Sequence, residues 1–324
     1  VGMLGYLYPL VFVRPPVRHS TMPTAPGNVQ LPRSARSPPQ RRCAPFRQRG
    51  PEIEPTHGVR SIALWYNTAA PAKAIWVDAH RRSAQREGLV LTQRDVLGLV
   101  LSYLYAFGLL LAAEVLGKRL RWPQYVTRKL VHIGAGMWVW CIVGLFDTWW
   151  IGSIPFASFI VLNYAFYRLR TFRAMDAVDE SPGTVYFALS ITLLFLLLWR
   201  NQGPVDRVPI AVAAIMVMTW GDGLAGLVGQ TIGRHRYVAF GHTRSWEGTL
   251  VMGTTSFVVI VISVVLLSAS AWSPFSMDVT LGRTLVAGAV ATLVATAAEG
   301  LSPAGIDNLT VPLLTAAALY LFLG

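Results

Sequence analysis

Charged residues are scarce in this chain: Asp, Glu, Lys and Arg make up 14% of its 324 residues, while hydrophobic residues make up 53%. A soluble domain carries roughly 25% charged residues. The apolar residues also fall in long runs rather than at the short periods of amphipathic helices or strands, which is typical of membrane spans. The composition therefore argues against a water-soluble core and predicts an integral membrane protein.

Cysteine is also nearly absent, since only Cys43 and Cys141 occur, in different kinds of segment. They provide neither a disulfide framework nor the paired spacing of a zinc site. Acidic residues are outnumbered, so the formal net charge is +12, and most of it belongs to residues 1–88, which hold 13 Lys and Arg against four Asp and Glu. These basic residues lie among prolines and not on a periodic face, so we expect no nucleic-acid partner.

The N-terminal segment differs in composition from the rest of the chain. Residues 14–60 are rich in Pro, Arg and Ser and poor in acids, so they bury too little apolar surface to fold alone. Such a stretch also resembles an organelle transit peptide, and sequence preceding the true start of the protein is a third interpretation. We expect residues 1–90 to be a disordered tail or a targeting segment, and residues 91–324 to form the transmembrane domain.

Eight apolar segments follow, and they predict an all-α, polytopic membrane protein with about eight transmembrane helices. The segments are residues 95–117, 130–146, 149–167, 185–199, 208–231, 249–270, 282–298 and 309–323. If the spans alternate in direction, most Lys and Arg residues of the connections lie on one face, which the positive-inside rule makes cytoplasmic. Four residues would then lie on the opposite face, a conflict that a ninth span or an incorrect start would remove: Arg81, Arg82, Arg86 and Arg94.

Asp222 is the strongest candidate for a functional residue, because it is a carboxylate inside an apolar segment. An acidic residue in a span costs about 2.5–3.5 kcal/mol on insertion scales and indicates a functional site by default. Small residues follow it at helical spacing, namely Ala225, Gly226, Gly229 and Gly233. Such glycines alone favour close helix packing, but beside Asp222 they also suit a magnesium–phosphate site, because Mg²⁺ takes one or two carboxylates plus phosphate oxygens.

A second polar segment, Arg244, Ser245 and Glu247, lies where the next span begins. The guanidinium of Arg244 suits a phosphate, and the hydroxyl of Ser245 suits the N-cap of the following helix. Glu247 is a second candidate carboxylate for a metal. Taken alone, the segment is explained better as a basic interfacial loop with a tryptophan anchor.

A third polar segment contains Glu299, Asp307 and Asn308 in the connection between the last two spans. For Asp307 and Asn308, helix capping is as good an explanation as a functional role. Capping does not account for Glu299, because the helix dipole disfavours a negative charge at a helix C-terminus. We therefore expect a cation or a hydrogen-bond donor close to Glu299.

The fourth polar segment is Arg128, Lys129 and His132. The positive-inside rule alone accounts for the two cations, which lie at the basic face. His132 lies about one turn deeper, on the face near Arg128, where it suits a phosphate or a lipid alcohol, although a lone interfacial histidine is more often structural.

These segments, in this order, resemble the polyprenol kinase family, which includes phytol, farnesol and dolichol kinases. The resemblance covers roughly residues 95–324 and rests on RKLVHIGAG, GDGLAGLVGQTIG, RSWEGT and DNLTVP. The spacing from Asp222 to Gly233 is similar to the family's CTP-binding motif. The resemblance implies transfer of the γ-phosphoryl group of CTP to the hydroxyl of an isoprenoid alcohol in the membrane.

This resemblance also implies roles for the residues named above. Asp222 would bind Mg²⁺ with Glu247 and Glu299 as helpers, and Asp307 would orient or deprotonate the alcohol. Arg244, Arg128 and Lys129 would hold phosphates, while the glycines would let the nucleotide approach.

Two other functions stay open at this point. The segment from Arg244 to Gly248 is also similar to a motif of phosphatidate cytidylyltransferases, which use CTP and Mg²⁺, but the chain departs from that family at Asp307 and Asn308. A transporter would also carry intramembrane carboxylates and glycine-broken helices, but it predicts paired half-repeats, which the sequence does not display.

Overall fold

The computed structural model describes residues 91–169, 182–201, 205–239, 242–303 and 305–324. The predicted tail or targeting segment, residues 1–90, lies outside the described residues. Within them the regular structure is helical apart from one short β-hairpin, so the predicted all-α class is confirmed.

The elements are, in chain order, α1 (Gln93–Leu120), α2 (Gln124–Leu145), α3 (Trp149–Leu169), α4 (Gly183–Leu198), α5 (Val208–Met216), a π-helical turn (Val217–Asp222), α6 (Gly223–Thr231), β1 (Arg236–Ala239), β2 (His242–Ser245), α7 (Trp246–Leu267), α8 (Leu281–Leu301) and α9 (Asp307–Leu323). Each of the eight predicted apolar segments overlaps a helix. Five described helices are long and apolar enough to cross a membrane, and α4 and α9 are shorter apolar helices. The number of eight spans stays a prediction.

The centre of the described bundle is the continuous helix Val208–Thr231, which joins α5, the π turn and α6. Its apolar stretch is 78% buried, against 22–39% in the other four helices long enough to span. Helices α2, α4, α7 and α9 pack around α5, and α1 and α3 pack on the outer side of α2 and α4. Small side chains such as Ala213 and Ala214 permit this close approach on several sides. A carboxylate on this helix is consequently surrounded by protein rather than by lipid.

The π turn ends at Asp222, so the helix widens immediately before the predicted functional residue. π turns are rare, and those inside α-helices are frequently found at functional sites. Gly221 allows a close contact here, because a Cβ on it would lie 2.8 Å from Ser256 Oγ and 2.9 Å from Met252 Sδ of α7, and those side chains would have to shift. The turn and its glycine thus hold Asp222 close to the neighbouring helices.

Acidic residues at the opposite end of the described bundle have a different environment. Asp95 is fully buried in the first turn of α1, where Oδ1 accepts hydrogen bonds from the backbone N–H groups of Asp147 and Thr148 at 3.0 and 3.1 Å. Asp206 accepts bonds from the Ser273 hydroxyl and the Arg200 and Val208 N–H groups. These two carboxylates fasten turns, which distinguishes them from Asp222.

Candidate functional site

Helix α2 brings two basic side chains to the carboxylate of Asp222, a residue that is only 4% exposed as a whole. Lys129 Nζ donates to Asp222 Oδ2 at 2.8 Å and to its backbone oxygen at 3.2 Å. His132 lies three residues further along, on the same helical face, with Nε2 3.5 Å from Asp222 Oδ2. The same Nε2 lies 2.9 Å from the Met218 carbonyl. Because a carbonyl only accepts, Nε2 carries the proton.

The hairpin β1–β2 directs a second cation to the ends of α8 and α9. Arg244 Nη1 donates to Glu299 Oε1, and Nη2 donates to the Ser302 carbonyl at 3.2 Å and to Asp307 Oδ2 at 3.4 Å. Arg244 is therefore the cation that the sequence predicted beside Glu299, and this prediction is confirmed. Burial lowers the pKa of the guanidinium, but the charges of Glu299 and Asp307 raise it further, so the net shift is upward. Arg244 consequently stays charged.

Three carboxylates, those of Asp222, Glu299 and Asp307, lie close enough to act on one another electrostatically and on the cations Lys129 and Arg244. Across the described ranges, no three His, Cys, Asp or Glu side chains are grouped to hold a metal ion by themselves. The carboxylate oxygens of this cluster fit Mg²⁺ only as an ion that takes one or two protein ligands and completes its shell with phosphate oxygens.

The glycine face of α6 packs against the start of α7 and against Lys129. A Cβ on Gly226 would lie 2.6 Å from Lys129 Cε, and one on Gly233 would lie 2.7 Å from Ser245 Cβ. Gly229 would approach Ser245 Oγ to 3.0 Å. These glycines therefore do allow close packing between α6 and its neighbours, as the sequence suggested. The same face also borders a polar cavity of about 130 Å³, lined by Ala225, Gly226, Gly229, Gln230, Arg236, Thr243, Arg244, Ser245, Gly248, Thr249 and Glu299.

Ser245 and Glu247 have separate roles at the start of α7. Ser245 is the N-cap, and its Oγ accepts from the Gly248 N–H at 3.1 Å, as predicted. Glu247 bonds to His235 of the preceding loop, with Oε1 2.7 Å from Nδ1 and 3.1 Å from the backbone nitrogen. The structure therefore brings Asp222 and Glu299 into one cluster, whereas the Glu247 carboxylate contacts the hairpin.

A second cavity, of about 110 Å³, lies among α1, α2, α3 and α4 and is mainly apolar. One end carries polar groups, from Arg128, Lys129, His132, Asn163, Gly183, Thr184 and Asn308. The walls and the other end are apolar or aromatic: Tyr105, Ala106, Leu109, Leu110, Val131, Ala135, Trp138, Pro155, Phe156, Phe159, Phe187 and Ala188, with Ser102. We refer to this space as the apolar cavity.

The two cavities meet at Lys129. Its side chain lines the apolar cavity and packs on Gly226, which lines the polar cavity. Its ammonium group binds Asp222. Two consecutive residues at the start of α9 also belong to different cavities. Asp307 contacts Arg244 of the polar cavity, and Asn308 lines the apolar cavity. A ligand with an apolar tail and a polar head would thus meet the charged cluster at its head.

The sequence is similar to several curated kinases of isoprenoid alcohols. The chain is 42% identical over 248 residues to phytol kinase from Synechocystis sp., an alignment that covers 74% of this chain and 98% of that protein. The chain belongs to the polyprenol kinase family. It is also 25% identical to a probable chloroplastic phytol kinase from Triticum aestivum, over 83% of this chain and 91% of that protein. A chloroplastic farnesol kinase from Arabidopsis thaliana is 29% identical, over 50% of this chain and 55% of the relative. No family model and no solved structure matches.

The four polar segments of this polyprenol kinase lie around the two cavities, apart from Glu247. Sequence reasoning did not find the aromatic lining of the apolar cavity, where the Tyr105 and Trp138 rings stack at 4.2 Å. It also missed Asn163, which is buried in α3 and donates to the Thr184 carbonyl at 2.9 Å. A buried amide in an apolar segment was the available signal for Asn163, because polar groups in spans face the protein interior.

Proposed function

We propose that this chain is a CTP-dependent kinase that transfers a phosphoryl group to the hydroxyl of an isoprenoid alcohol, with phytol as the first substrate to test. The observation that supports this most directly is the junction of the apolar and polar cavities at the Lys129–Asp222 pair. The names of the relatives, phytol kinase and farnesol kinase, point to the same class of substrate.

The nucleotide would occupy the polar cavity. Arg244 offers a planar fork suited to phosphate oxygens, and the glycine face of α6 lets a nucleotide come close to the backbone. Its terminal phosphate would reach Lys129 and Arg128, which line the adjoining end of the apolar cavity. The choice of CTP rests on the resemblance of residues 222–233 to the family's CTP-binding motif.

The alcohol would enter the apolar cavity from the bilayer. Its hydrocarbon tail gains about 25 cal/mol for each Å² of apolar surface that leaves water, and the cavity walls are aromatic and aliphatic. A small cavity with few polar groups fixes the orientation of such a ligand, because the hydroxyl must lie at the polar end. That end carries the cations that would meet the phosphate.

In the reaction, the alcohol oxygen forms a bond to the γ-phosphorus while the bond from that phosphorus to the β-phosphate oxygen breaks. The alcohol proton passes to Asp307 and then to solvent, and the products are a lipid monophosphate and CDP. Lys129 and Arg244 neutralise charge on the transferred group, which is the main contribution a protein makes to phosphoryl transfer. Mg²⁺, held by Asp222 with help from Glu299, would supply further charge neutralisation on the phosphates.

The proposed setting is a membrane that the chain crosses several times, with the charged cluster at the basic, cytoplasmic-side face. Five described helices have the length and composition for crossing. The isoprenoid alcohol would then remain in the bilayer while the nucleotide arrives from water.

The test is phosphorylation by purified full-length protein in detergent with Mg²⁺, γ-labelled CTP and a panel of phytol, farnesol, geranylgeraniol and dolichol. We expect label in a lipid monophosphate and stoichiometric CDP. Asp222→Asn should abolish turnover, while Asp278→Asn, the same change at an exposed position, should not alter it. Turnover that persists in Asp222→Asn would contradict the assignment of the cluster.

The same assay separates the related reaction, in which a cytidylyl group passes to a lipid phosphate. That reaction releases pyrophosphate and leaves the γ-label off the lipid. Pyrophosphate release with phosphatidate, and no labelled lipid with any alcohol, would replace the kinase proposal.

A further inference from the structure

Asn308 has a buried acceptor that the protein itself does not satisfy. The residue is 6% exposed, and its Oδ1 has no hydrogen-bond partner in the structure. A buried acceptor without a partner costs about 1–3 kcal/mol, and most such groups are satisfied in native proteins. Asn308 also lines the polar end of the apolar cavity. No donor of the described residues satisfies this oxygen, so a ligand at the polar end of the cavity has an acceptor to bind.

The orientation of this amide follows from its other contact. Asn308 Nδ2 donates to the Gly183 carbonyl of α4 at 3.1 Å. Rotating the amide by half a turn would place Oδ1 against that carbonyl, and two acceptors repel each other. Gly183 leaves room for this contact, because a Cβ there would lie 3.1 Å from Asn308 Nδ2. The free atom is consequently the oxygen.

Two neighbouring donors are engaged elsewhere, and a third, Arg128, makes no hydrogen bond to Asn308 Oδ1 in the described structure, although its Nη2 would lie 3.1 Å from a Cβ on Gly183. Lys129 Nζ donates to Asp222, and His132 Nε2 donates to the Met218 carbonyl. Asp307, the preceding residue, contributes only acceptor oxygens when ionised, and Oδ1 already receives the Asn308 backbone N–H at 2.9 Å. A ligand that satisfies Asn308 therefore needs an O–H or N–H group at the end of an apolar body.

We propose that Oδ1 of Asn308 accepts a hydrogen bond from the hydroxyl of the bound isoprenoid alcohol, and so holds the reacting oxygen between the apolar cavity and Asp307. This inference rests on the proposed function for its substrate class. Asn308 and Asp307 are consecutive at the start of α9, and only Asp307 contacts Arg244 of the polar cavity. The amide thus fixes the position of the oxygen, and the adjacent carboxylate takes its proton during transfer.

The apolar cavity is long enough for an isoprenoid alcohol whose hydroxyl lies at Asn308. Its lining residues on α2 extend from Arg128 to Trp138, and ten residues of helix span about 15 Å. The head of the alcohol would lie at Asn308 beside Arg128, and the first isoprene units would extend along α2 towards Trp138. The amide also distinguishes an alcohol from a hydrocarbon of the same shape, because only the alcohol supplies the missing donor.

A binding experiment tests the hydrogen bond without requiring turnover. The Kd of labelled phytol and the Kd of its methyl ether, which has no O–H, are measured with wild-type protein in nanodiscs. We expect the alcohol to bind about 5–10-fold more tightly than the ether, as one net hydrogen bond would give. Asn308→Leu should bind both equally. Asn308→Asp retains an oxygen acceptor but lacks the amide donor to Gly183, so it should keep the preference for the alcohol.

Two results would overturn the proposal: equal binding of alcohol and ether by the wild type, or a preference that survives in Asn308→Leu. If Asn308→Leu does not fold, Asn308→Ala removes the same acceptor and takes its place. In kinetics, either variant should raise KM for the alcohol and leave KM for CTP unchanged.

Binding and phosphorylation measured together distinguish failure of the proposed function from failure of this inference. An alcohol preference that depends on Asn308, without phosphorylation of any alcohol, would support the binding site and reject the kinase. Phosphorylation with an alcohol preference that is independent of Asn308 would support the kinase and reject the hydrogen bond.

Discussion

Lys129 binds Asp222 at 2.8 Å although the two residues are 93 positions apart in the sequence and belong to different helices. Both side chains are largely buried, with 18% and 6% exposed. Removing one member of such a pair leaves an unpaired charge, which is far more costly than removing both. The pair therefore stabilises the junction of α2 with the central helix as well as the proposed active site.

We predict that Lys129→Met destabilises the protein by about 3 kcal/mol and abolishes phosphorylation, because Asp222 is left unpaired. The double variant Lys129→Met/Asp222→Asn should recover most of the stability and remain inactive. Thermal unfolding in detergent and the CTP assay measure the two effects. Lys118→Met is the matched control, because the Lys118 side chain is 67% exposed and pairs with Glu114 one turn earlier on the same helix. A double variant as unstable as the single one would contradict the coupling.

Arg244→Lys should raise KM for CTP about 10–100-fold, even though the charge is conserved. The guanidinium contacts Glu299, Asp307 and the Ser302 carbonyl at once, and an ammonium group cannot reproduce this fork. Each charge-assisted hydrogen bond contributes about 1.5–3 kcal/mol. Arg234→Lys, at an exposed position just before the hairpin, should behave as the wild type. An unchanged KM for CTP in Arg244→Lys would place the nucleotide elsewhere.

The sequence predicted the individual charges of the site better than their pairing. Asp222 is identifiable because a carboxylate in an apolar segment is costly, and Glu299 because the helix dipole disfavours it. The apolar cavity is different. In a membrane protein both the lipid-facing and the buried sides of a helix are apolar, so periodicity does not distinguish Trp138 in a cavity from Trp150, which is 42% exposed. Asn308 Oδ1 is unsatisfied because Nδ2 bonds to the Gly183 carbonyl, a contact between residues 125 positions apart that the sequence does not reveal.

Asp95→Ala should lower stability without changing the turnover of the folded protein. The carboxylate accepts from the backbone N–H groups of Asp147, Thr148 and, at 3.4 Å, Thr92, and from the Thr148 hydroxyl at 2.9 Å, and alanine would leave all four donors without this partner. We expect a loss of about 2–4 kcal/mol. Chemical denaturation measures the loss, and kcat per folded molecule is the control. A fall in kcat in proportion to stability would mean that this end of the bundle is coupled to the site.

Trp138→Ala should extend the range of alcohols towards longer chains. The indole lies at the end of the apolar cavity furthest along α2 from Lys129, stacks on Tyr105, and is fixed by a 3.0 Å hydrogen bond from Nε1 to Ser102 Oγ. Replacing it with a methyl group opens space beyond the cavity end.

We expect the ratio of kcat/KM for dolichol to that for farnesol to rise about tenfold, since one or two methylene groups in an apolar pocket are worth about 1–3 kcal/mol. Trp150→Ala, which removes an exposed indole from α3, should leave the ratio unchanged. KM for CTP should stay constant in both variants, because the indole is outside the polar cavity. A constant ratio in Trp138→Ala, with normal turnover of phytol, would mean that the tail leaves the cavity before it reaches this ring.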